Sequence, residues 1–539
     1  MAIAADLVVR GGKIWCGAAE GTVEALAAFG GKVLAAGAND EIASLIGPKT
    51  RVVELDGRLA TPGLYDVHLH LLPLGLYMAQ VDVRPATAPT LDVLLERLRE
   101  RARSQPQGTW VIGVGYDHFK LDVHRHPTRT ELDRAVPDHP VYLIRTCGHL
   151  AVANSLALQR AGIDASTPSP PGGLIEVVDG ELTGLLAENG RDRVKAVLPE
   201  PSEDDLVEAI ERAGRYCLSY GVTSVMDAAV GMRAGFAEIG AYFRAKRDGR
   251  LPVRVDLCLL GGEGGIADRC HEVGLVTGTG DADLRVGPVK IFTDGSAGGR
   301  TAAMVEAYVG GGHGITMLPD EVLNDLVRGY HERGYQLAIH AIGDAAIEQV
   351  LNAYDKALAA KPWPDRRHRI EHCGFSTGEQ IARMVRLGVY PAPQPSFMYD
   401  FGDLYVEVLG ETRAAAAYPM RTWLSAGLDP SASTDCPVTD VDPFPNLYSM
   451  VTRRTGKGSL LGGGETLTMT EALHAYTAAS AFAGRSEGEK GRLVPGQLAD
   501  LAIFDADLLE VEPEVVLQAS CELAIKGGEV VFDRRAGAD

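Results

Sequence analysis

Two histidines that stand two residues apart, His68 and His70, are the first candidates for chemistry in this sequence. They close an apolar stretch that follows Thr61, Pro62 and Gly63. In a β-strand, residues two apart project to the same side, so both imidazoles can bind one cation. Histidine pairs at this spacing also occur by chance, and a strand-end histidine often only bonds a carbonyl. The pair alone is therefore weak evidence for a metal site.

Four further residues lie at or close to the end of an apolar, strand-like stretch: Lys290, His340, His372 and Asp435. A histidine or aspartate at such a position need not bind metal, because a strand-end histidine can hydrogen-bond a carbonyl and an aspartate can cap the next helix. Six such residues in one chain are harder to explain in this way. Imidazole and carboxylate groups are the ligands that zinc and similar divalent ions prefer. The six residues together predict a divalent metal site, with Zn²⁺ as the expected ion.

Lys290 fits such a site only in an altered chemical state. A buried ammonium beside metal cations would be strongly disfavoured. If the amine reacts with carbon dioxide, it becomes a carbamate, an anion whose two oxygens can bridge two metals. The sequence leaves two forms open: one metal ion, or two ions bridged by N-carboxylated Lys290.

The middle of the chain alternates strand-like and helix-like stretches, which is the pattern of an α/β barrel. Eight strands are predicted, at 59–68, 222–226, 253–260, 284–292, 336–340, 369–372, 389–393 and 430–433. Helices fall between them, at 203–218, 231–246, 320–334, 344–360, 376–387 and 411–426. Ser376 and Glu379 have the spacing of a capping box at the start of one helix. In a closed (β/α)8 barrel the carboxyl ends of the strands meet at one rim, which would gather the six candidates. An open doubly wound sheet is the alternative, but the strand number and the length favour closure.

Both ends of the chain have a different sequence pattern: short strand-like stretches in which apolar and polar residues alternate, separated by glycine. They lie at 6–10, 24–29, 32–36 and 51–55, and again at 499–504, 521–526 and 529–532. Such strands indicate an antiparallel sheet. We expect residues 1–60 and 485–539 to form one small β-domain, with the barrel of residues 61–484 between them.

Residues 75–215 separate the first predicted barrel strand from the second, a distance far beyond an ordinary loop. We interpret them as an insertion after strand 1, with a helix at 91–103 and strands at 110–114 and 141–145. We expect it to lie over the catalytic face, because βα loops gather there.

Six polar residues are candidates for substrate binding: Tyr116, His149, Glu188, Asp294, Ser296 and His313. The first three belong to the insertion, and Asn154 beside them has the alternative role of capping a helix. Asp294 and Ser296 follow Lys290 and are also placed to support the ligands. His313 lies in the glycine-rich stretch 310–314, which we interpret as a rim segment because it lacks the form of a phosphate loop. The cluster His118, His124 and His126 is interpreted as a solvated loop rather than a second metal site.

The composition excludes several classes of protein. There are 52 basic and 72 acidic residues, a formal net charge of -20, which argues against a nucleic-acid or anionic-membrane binder. The eight cysteines are scattered and include no CxxC pair, so neither a disulfide framework nor a cysteine-type zinc site is indicated. No secretory signal and no long apolar segment is recognisable. We expect a cytoplasmic protein.

Several longer stretches resemble the amidohydrolase superfamily of metal-dependent hydrolases, in particular its YtcJ-like branch, which includes N-substituted formamide deformylases. The matching stretches are 60–70, 148–157, 289–296, 340–344, 369–372, 433–438 and 496–501. The resemblance implies a TIM-like barrel with a β-sandwich made from both termini. It also implies one or two divalent metals bound by His68, His70, Lys290, His340 and His372, with Asp435 as ligand and general base. This chain departs from the pattern at Thr434, where the family usually has serine, and the bridging lysine varies across the superfamily.

The reaction implied is hydrolysis of an amide-like, non-peptide C–N bond in a small N-acyl or N-formyl compound. Metal would activate water, Asp435 would move its proton, and His340 or His372 could polarise the carbonyl if only one ion is held. Deamination, lactone hydrolysis, decarboxylation and isomerisation are alternatives on the same scaffold. A further hypothesis is a non-catalytic binding or regulatory protein that keeps the fold. The expected partner is a small-molecule substrate, and a homodimer is the assembly that the resemblance suggests.

Overall fold

The computed structural model describes residues 4–145, 149–170, 172–363 and 365–537. The chain divides into two compact units, residues 1–74 with 210–539 and residues 75–209. Cys147 and Gly148, the latter at the start of one motif stretch, lie outside the described residues. No helix in the described ranges is long and apolar enough to cross a bilayer.

The two chain ends of the larger unit build one mostly antiparallel sheet. Its strands in the described residues are β1 (Leu7–Gly17), β2 (Gly21–Phe29), β3 (Lys32–Gly37), β4 (Arg51–Glu54), β5 (Leu59–Pro62), β19 (Leu501–Phe504), β20 (Cys521–Lys526) and β21 (Glu529–Asp533). The order is β21-β20-β19-β5-β1-β2-β3, and β4 also pairs with β1. Because β19 pairs with β5 and Leu26, Leu501 and Ile525 share one core, the end of the chain is joined to its beginning.

Parallel strands form the central sheet of the same unit. Those in the described residues are β6 (Leu64–Leu69), β13 (Val222–Val230), β14 (Arg254–Leu260), β15 (Leu284–Phe292), β16 (Leu337–Ala341), β17 (Arg369–His372) and β18 (Tyr390–Ala392). They pair in chain order, each parallel to the next. Tyr65, Val67, Met226, Cys258 and Ala338 form a buried apolar cluster on these strands.

The segment 430–436 occupies the place of the expected eighth strand but is not a strand, which corrects our prediction for 430–433. Beside β6, the Asp435 amide donates to the His68 carbonyl at 2.7 Å, and the His70 amide donates to the Cys436 carbonyl at 2.8 Å. Toward β18 a regular ladder fails, because Pro391 and Pro393 have no amide hydrogen to donate. Seven regular strands and one irregular segment therefore leave the parallel sheet nearly closed.

The predicted strand 59–68 is two strands rather than one. β5 belongs to the terminal sheet and β6 to the barrel, with Gly63 between them donating its amide to the Asp500 carbonyl at 2.8 Å. A Cβ at Gly63 would lie 2.2 Å from Thr223 Oγ1, so only glycine fits this junction without a shift.

The larger unit also contains helices, most of which follow or connect the strands of the barrel. In the described residues they are α1 (Asn39–Ala43), α2 (Leu71–Met78), α7 (Glu203–Leu218), α8 (Ala237–Arg247), α9 (Ala267–Glu272), α10 (Asp320–Glu332), α11 (Asp344–Ala360), α12 (Gly378–Leu387), α13 (Ser396–Leu409), α14 (Glu411–Ala415), α15 (Met420–Ser425), α16 (Phe444–Thr452), α17 (Met469–Ala475), α18 (Ala478–Ala483) and α19 (Pro513–Val516). The capping box of α12 lies one residue later than predicted, at Thr377 and Gln380. The Ser376 hydroxyl instead accepts a hydrogen bond from the Trp423 indole at 3.1 Å.

The smaller unit has its own sheet and core. Its strands in the described ranges are β7 (Val81–Asp82), β8 (Val111–Tyr116), β9 (Val141–Arg145), β10 (Leu150–Ala153), β11 (Gly173–Val178) and β12 (Glu181–Glu188), in the order β11-β12-β10-β9-β8-β7. Its helices are α3 (Leu91–Arg103), α4 (Arg129–Ala135), α5 (Ser155–Arg160) and α6 (Asp192–Lys195). Leu94, Leu98, Val111 and Leu143 are buried together, so this segment is a folded body and not a long loop.

Candidate metal centre

His68, His70 and Asp435 converge where β6 ends. One donor atom from each lies within 4.8 Å of the others, the one group of His, Cys, Asp or Glu side chains this compact in the described residues. Asp435 Oδ1 is 3.1 Å from His70 Nε2 and 3.4 Å from His68 Nε2. His68 and Asp435 are buried, and 16% of the His70 side chain is exposed. The HxH spacing therefore places both rings against the same carboxylate.

Hydrogen bonds on the far side of each ring decide which nitrogen faces this carboxylate. His70 Nδ1 is 2.7 Å from the Ala228 carbonyl oxygen, which can only accept, so Nδ1 carries the proton. His68 Nδ1 donates in the same way to the Glu371 carboxylate. Both Nε2 atoms then present lone pairs toward Asp435 Oδ1, a buried oxygen with no hydrogen-bond partner. Three acceptors that face one another fit a bound cation.

Lys290 approaches the same centre from β15. Its Nζ is 3.2 Å from His68 Nε2 and 4.8 Å from the centre of the Phe292 ring. The residue is 1% exposed, and burial lowers the pKa of Lys290, although Glu371 and Asp435 act in the opposite direction. Burial therefore favours the neutral amine at this position.

His340 on β16 and His372 on β17 complete the group. Their ring centroids are 4.4 Å apart, and the His372 ring is 4.9 Å from the His68 ring. All six predicted ligands thus form one continuous cluster. Burial lowers the pKa of both His68 and His372, which keeps these imidazoles neutral and able to bind a metal.

The hydrogen bonds of His340 and His372 leave one nitrogen of each ring unused. His372 Nδ1 donates to Gln394 Oε1 at 2.6 Å. His340 Nε2 is 3.1 Å from the Gly295 carbonyl and 3.1 Å from Asp294 Oδ1. Within the part of the chain that is described, His372 Nε2 and His340 Nδ1 make no hydrogen bond, so each has a lone pair to offer.

Sequence reasoning missed a buried ion pair behind His68. Arg369 binds both oxygens of Glu371 at 2.7 Å and also donates to the Val67 carbonyl at 3.0 Å. Arg369 is 0% and Glu371 1% exposed. Glu371 thereby receives two guanidinium hydrogens and the His68 proton, which fixes the ring. Two opposite charges two residues apart on a barrel strand were the available signal in the sequence.

Asp227 and Gln394 were also missed. Asp227 accepts the amides of Leu71 at 3.0 Å and Leu72 at 3.2 Å, the residues that follow His70. Burial raises the pKa of Asp227 to about 7. Gln394 holds His372 and donates to Ser433 Oγ at 3.0 Å. Nothing in their local sequence distinguishes them, because their roles depend on partners far away in the chain.

The three predicted substrate residues of the larger unit differ in their surroundings. Asp294 is 1% exposed and accepts the amides of Ile342, Gly343 and Ala303 at 3.0, 2.9 and 2.9 Å, besides facing His340. It is therefore a support for His340, and its contact with substrate stays a prediction. Ser296 and His313 are exposed, and His313 Nδ1 is 3.2 Å from the Met304 carbonyl.

The other candidates belong to the smaller unit. His149 Nδ1 is 3.0 Å from Glu188 Oε2, and both side chains are exposed. Tyr116 is buried, with its hydroxyl 3.0 Å from His126 Nδ1. Their contact with substrate stays a prediction. Asn154 caps α5 through the Ala157 amide at 3.0 Å, which confirms the capping alternative for this residue.

Comparisons with known proteins cover nearly the whole chain. The profile of the amidohydrolase family matches residues 51–532. The Bacillus subtilis protein YtcJ is 31% identical over 501 residues, which cover 90% of this chain and 91% of that protein. An N-substituted formamide deformylase of Arthrobacter pascens is 30% identical over 494 residues, 90% of each chain. The crystal structure of an uncharacterized metal-dependent hydrolase from Pyrococcus horikoshii OT3 has a TM-score of 0.78, with 30% identity over 94% of this chain and 99% of that one.

Proposed function

This chain belongs to the amidohydrolase family, and from that premise we propose that it cleaves the amide-like C–N bond of a small N-acyl or N-formyl compound. It is a hydrolytic enzyme that acts on C–N bonds other than peptide bonds. The deformylase relative at 30% identity supports the choice of an N-formyl or N-acyl substrate.

One observation carries the proposal of a metal-dependent reaction. His68 Nε2, His70 Nε2 and Asp435 Oδ1 face one another as acceptors, with Asp435 Oδ1 buried and without a hydrogen-bond donor. Leaving the buried Asp435 Oδ1 unpaired costs free energy, which a divalent cation between the three atoms would remove. These three residues would hold one ion, and His340 and His372 offer the free nitrogens for a second. Neutral imidazoles with a carboxylate are the donor set of Zn²⁺ sites.

A divalent ion held there supplies a Lewis acid that activates water and polarises a carbonyl oxygen. Asp435 accepts the proton of the attacking water and passes it to the leaving nitrogen, which departs as an amine. The fixed Nδ1 protons of His68 and His70 keep both rings oriented during this transfer. If only one ion is present, His340 or His372 would polarise the carbonyl instead, which requires a proton on the free nitrogen, His340 Nδ1 or His372 Nε2.

Lys290 decides between one ion and two. Burial lowers the pKa of Lys290 and so favours the neutral amine, the form that reacts with carbon dioxide, and the carbamate would add two oxygens that share one negative charge beside His68. We therefore infer that Lys290 is N-carboxylated and that its carbamate would supply ligand oxygens to two ions.

The test is the metal content of Lys290→Ala, measured by mass spectrometry on protein purified with bicarbonate. We expect two equivalents in the parent and one in the variant, with partial recovery of turnover when a small carboxylic acid is added. Lys490→Met is the matched control, because Lys490 is also buried but lies against Tyr65 and Asp256. Unchanged metal content in Lys290→Ala would rule out the bridge.

An amide library tests the substrate class. Turnover of N-formyl or N-acyl amines by the metal-loaded protein, absent after chelation, supports the proposed reaction. Metal binding without turnover of amides, esters or amines would favour a non-catalytic role, while turnover of amines or lactones alone would assign one of the other reactions.

A further inference from the structure

Asp435 has a backbone conformation that needs support. Its φ is 57°, in the left-handed region that residues with a Cβ rarely adopt. It also lies in the irregular segment 430–436, so it has no β-ladder on both sides to hold it. Other contacts must therefore fix the direction of its carboxylate.

The contacts come from Thr434 and Asp66, and both residues are 0% exposed. Thr434 Oγ1 donates to Asp66 Oδ2 at 2.6 Å and accepts the Cys436 amide at 3.2 Å. The hydroxyl therefore spans Asp435 from the residue before it to the residue after it. One rotation of this hydroxyl satisfies both bonds, since it is a donor and an acceptor at once.

Asp66 connects this turn to the two histidines. Its Oδ1 accepts the Thr434 amide at 3.3 Å and the His68 amide at 3.1 Å. Asp66 is thus bonded to the residue before Asp435 and to the first residue of the HxH pair. The hydrogen bond from the Asp435 amide to the His68 carbonyl, 2.7 Å, completes a ring of contacts between both sides of the centre.

We propose that Asp66 and Thr434 are positioning residues that hold Asp435 against His68 and His70. The inference rests on the proposed metal site and goes beyond it, because neither residue is one of the six proposed ligands. It also gives a reason for the missing eighth strand. A regular β-ladder does not accommodate the left-handed conformation of Asp435, and the hydrogen bonds of Asp66 and Thr434 take its place. A role limited to closing the barrel is the competing account.

Metal affinity of the apo protein, measured by titration against a chelator of known affinity, separates the two accounts. Thr434→Val keeps the shape of the side chain and loses the hydroxyl. We expect its Zn²⁺ affinity to fall about 10- to 100-fold, the range for residues that orient ligands. Thr434→Ser keeps the hydroxyl and should bind within about threefold of the parent, since no contact is lost.

Thr477→Val is the matched control. Thr477 is also 0% exposed, and its hydroxyl donates to the Leu473 carbonyl at 2.7 Å. We expect both Thr477→Val and Thr434→Val to unfold at a lower temperature, because each loses a buried hydrogen bond, but Thr477→Val to bind Zn²⁺ like the parent. If Thr434→Val does not fold, Asp66→Asn takes its place; it keeps one acceptor oxygen, and we expect a smaller loss of affinity.

Parent-like affinity in Thr434→Val, or an equal loss in Thr477→Val, would overturn the proposal and leave only the barrel-closing role. Parent-like affinity in Asp66→Asn, if that variant is the one measured, has the same consequence. Absence of Zn²⁺ binding in the parent would instead contradict the proposed function itself. The two failures are therefore distinguishable in one series.

Discussion

The two ends of β17 each have a buried histidine, and their rings are bonded in different ways. His368 precedes the strand and uses both nitrogens: Nδ1 accepts the Leu337 amide at 3.0 Å, and Nε2 is 2.9 Å from His331 Nδ1. His331 Nε2 then donates to the Lys361 carbonyl at 2.7 Å. This chain of bonds is complete when both imidazoles are neutral.

At the carboxyl end of the same strand, His372 uses only Nδ1 in the described structure. His340 likewise uses one nitrogen, in its case Nε2, and Asp435 Oδ1 has no donor at all. Burial lowers the pKa of His368 as it does that of His372, so neither burial nor charge state separates them. On this strand, an acceptor nitrogen without a hydrogen bond distinguishes the candidate ligand His372 from the structural histidine His368.

The largest expected effect comes from the carboxylate with the unused oxygen. In Asp435→Asn the amide cannot take a proton, so kcat should fall about 10²- to 10⁴-fold while metal remains bound. The measurement is kcat on the best amide substrate together with metal content. Asp429→Asn is the control, because Asp429 is already engaged by His474 Nε2 at 3.0 Å. Parent-like turnover in Asp435→Asn would remove Asp435 as the base.

The next effect separates the two histidines of β17. His372→Leu should weaken Zn²⁺ binding about 10- to 100-fold and lower the stability of the apo protein less than His368→Leu does, because only Gln394 Oε1 loses its partner. His368→Leu should lower the free energy of unfolding by about 1–3 kcal/mol, because the Leu337 amide and His331 Nδ1 lose their partner. Zn²⁺ titration and urea unfolding of both apo variants check this. An equal loss of Zn²⁺ affinity in both variants would contradict the distinction between His372 as a ligand and His368 as a structural residue.

The smallest effect is a pH dependence of stability. Burial lowers the pKa of His331 and His368 below the ordinary value of about 6.5. Below about pH 6.5 these two histidines bind protons in the unfolded chain but not in the folded protein. Their contribution to the free energy of unfolding is therefore constant above about pH 6.5 and decreases as the pH falls below it. The stability gap between the parent and His368→Leu should narrow on acidification in urea unfolding of the apo proteins. A gap that widens instead would contradict the neutral state of the pair.

Much of this site follows from sequence because strand ends are readable. Apolar runs that end in histidine or aspartate located His340, His372 and Asp435, and parallel pairing then requires that such ends share one rim. The terminal β-strands were readable for a similar reason, from alternation and glycine breaks. The class of fold and the six residues that cluster in the structure were predicted without contact information, and their role as metal ligands stays a prediction.

Other features depend on partners that sequence does not reveal. The eighth strand fails because Pro391 in β18 and Pro393 just after it lack amide hydrogens, and a threonine hydroxyl bonds an aspartate 368 residues earlier. At the start of α12 the cap is Thr377, while Ser376 bonds Trp423. Glu371 and Gln394 orient the rings of His68 and His372. The partners in these hydrogen bonds cannot be recognised from the local sequence.

Zinc titration of the chelated protein, followed by turnover of an N-formyl or N-acyl amine, is the direct test of a catalytic metal centre at His68, His70 and Asp435. We predict that Zn²⁺ binds in at least one equivalent, that turnover returns with it, and that His70→Leu abolishes both while His368→Leu retains both. Full turnover after exhaustive chelation, or Zn²⁺ binding that is unchanged in His70→Leu, would contradict the assignment of His68, His70 and Asp435 as the metal centre.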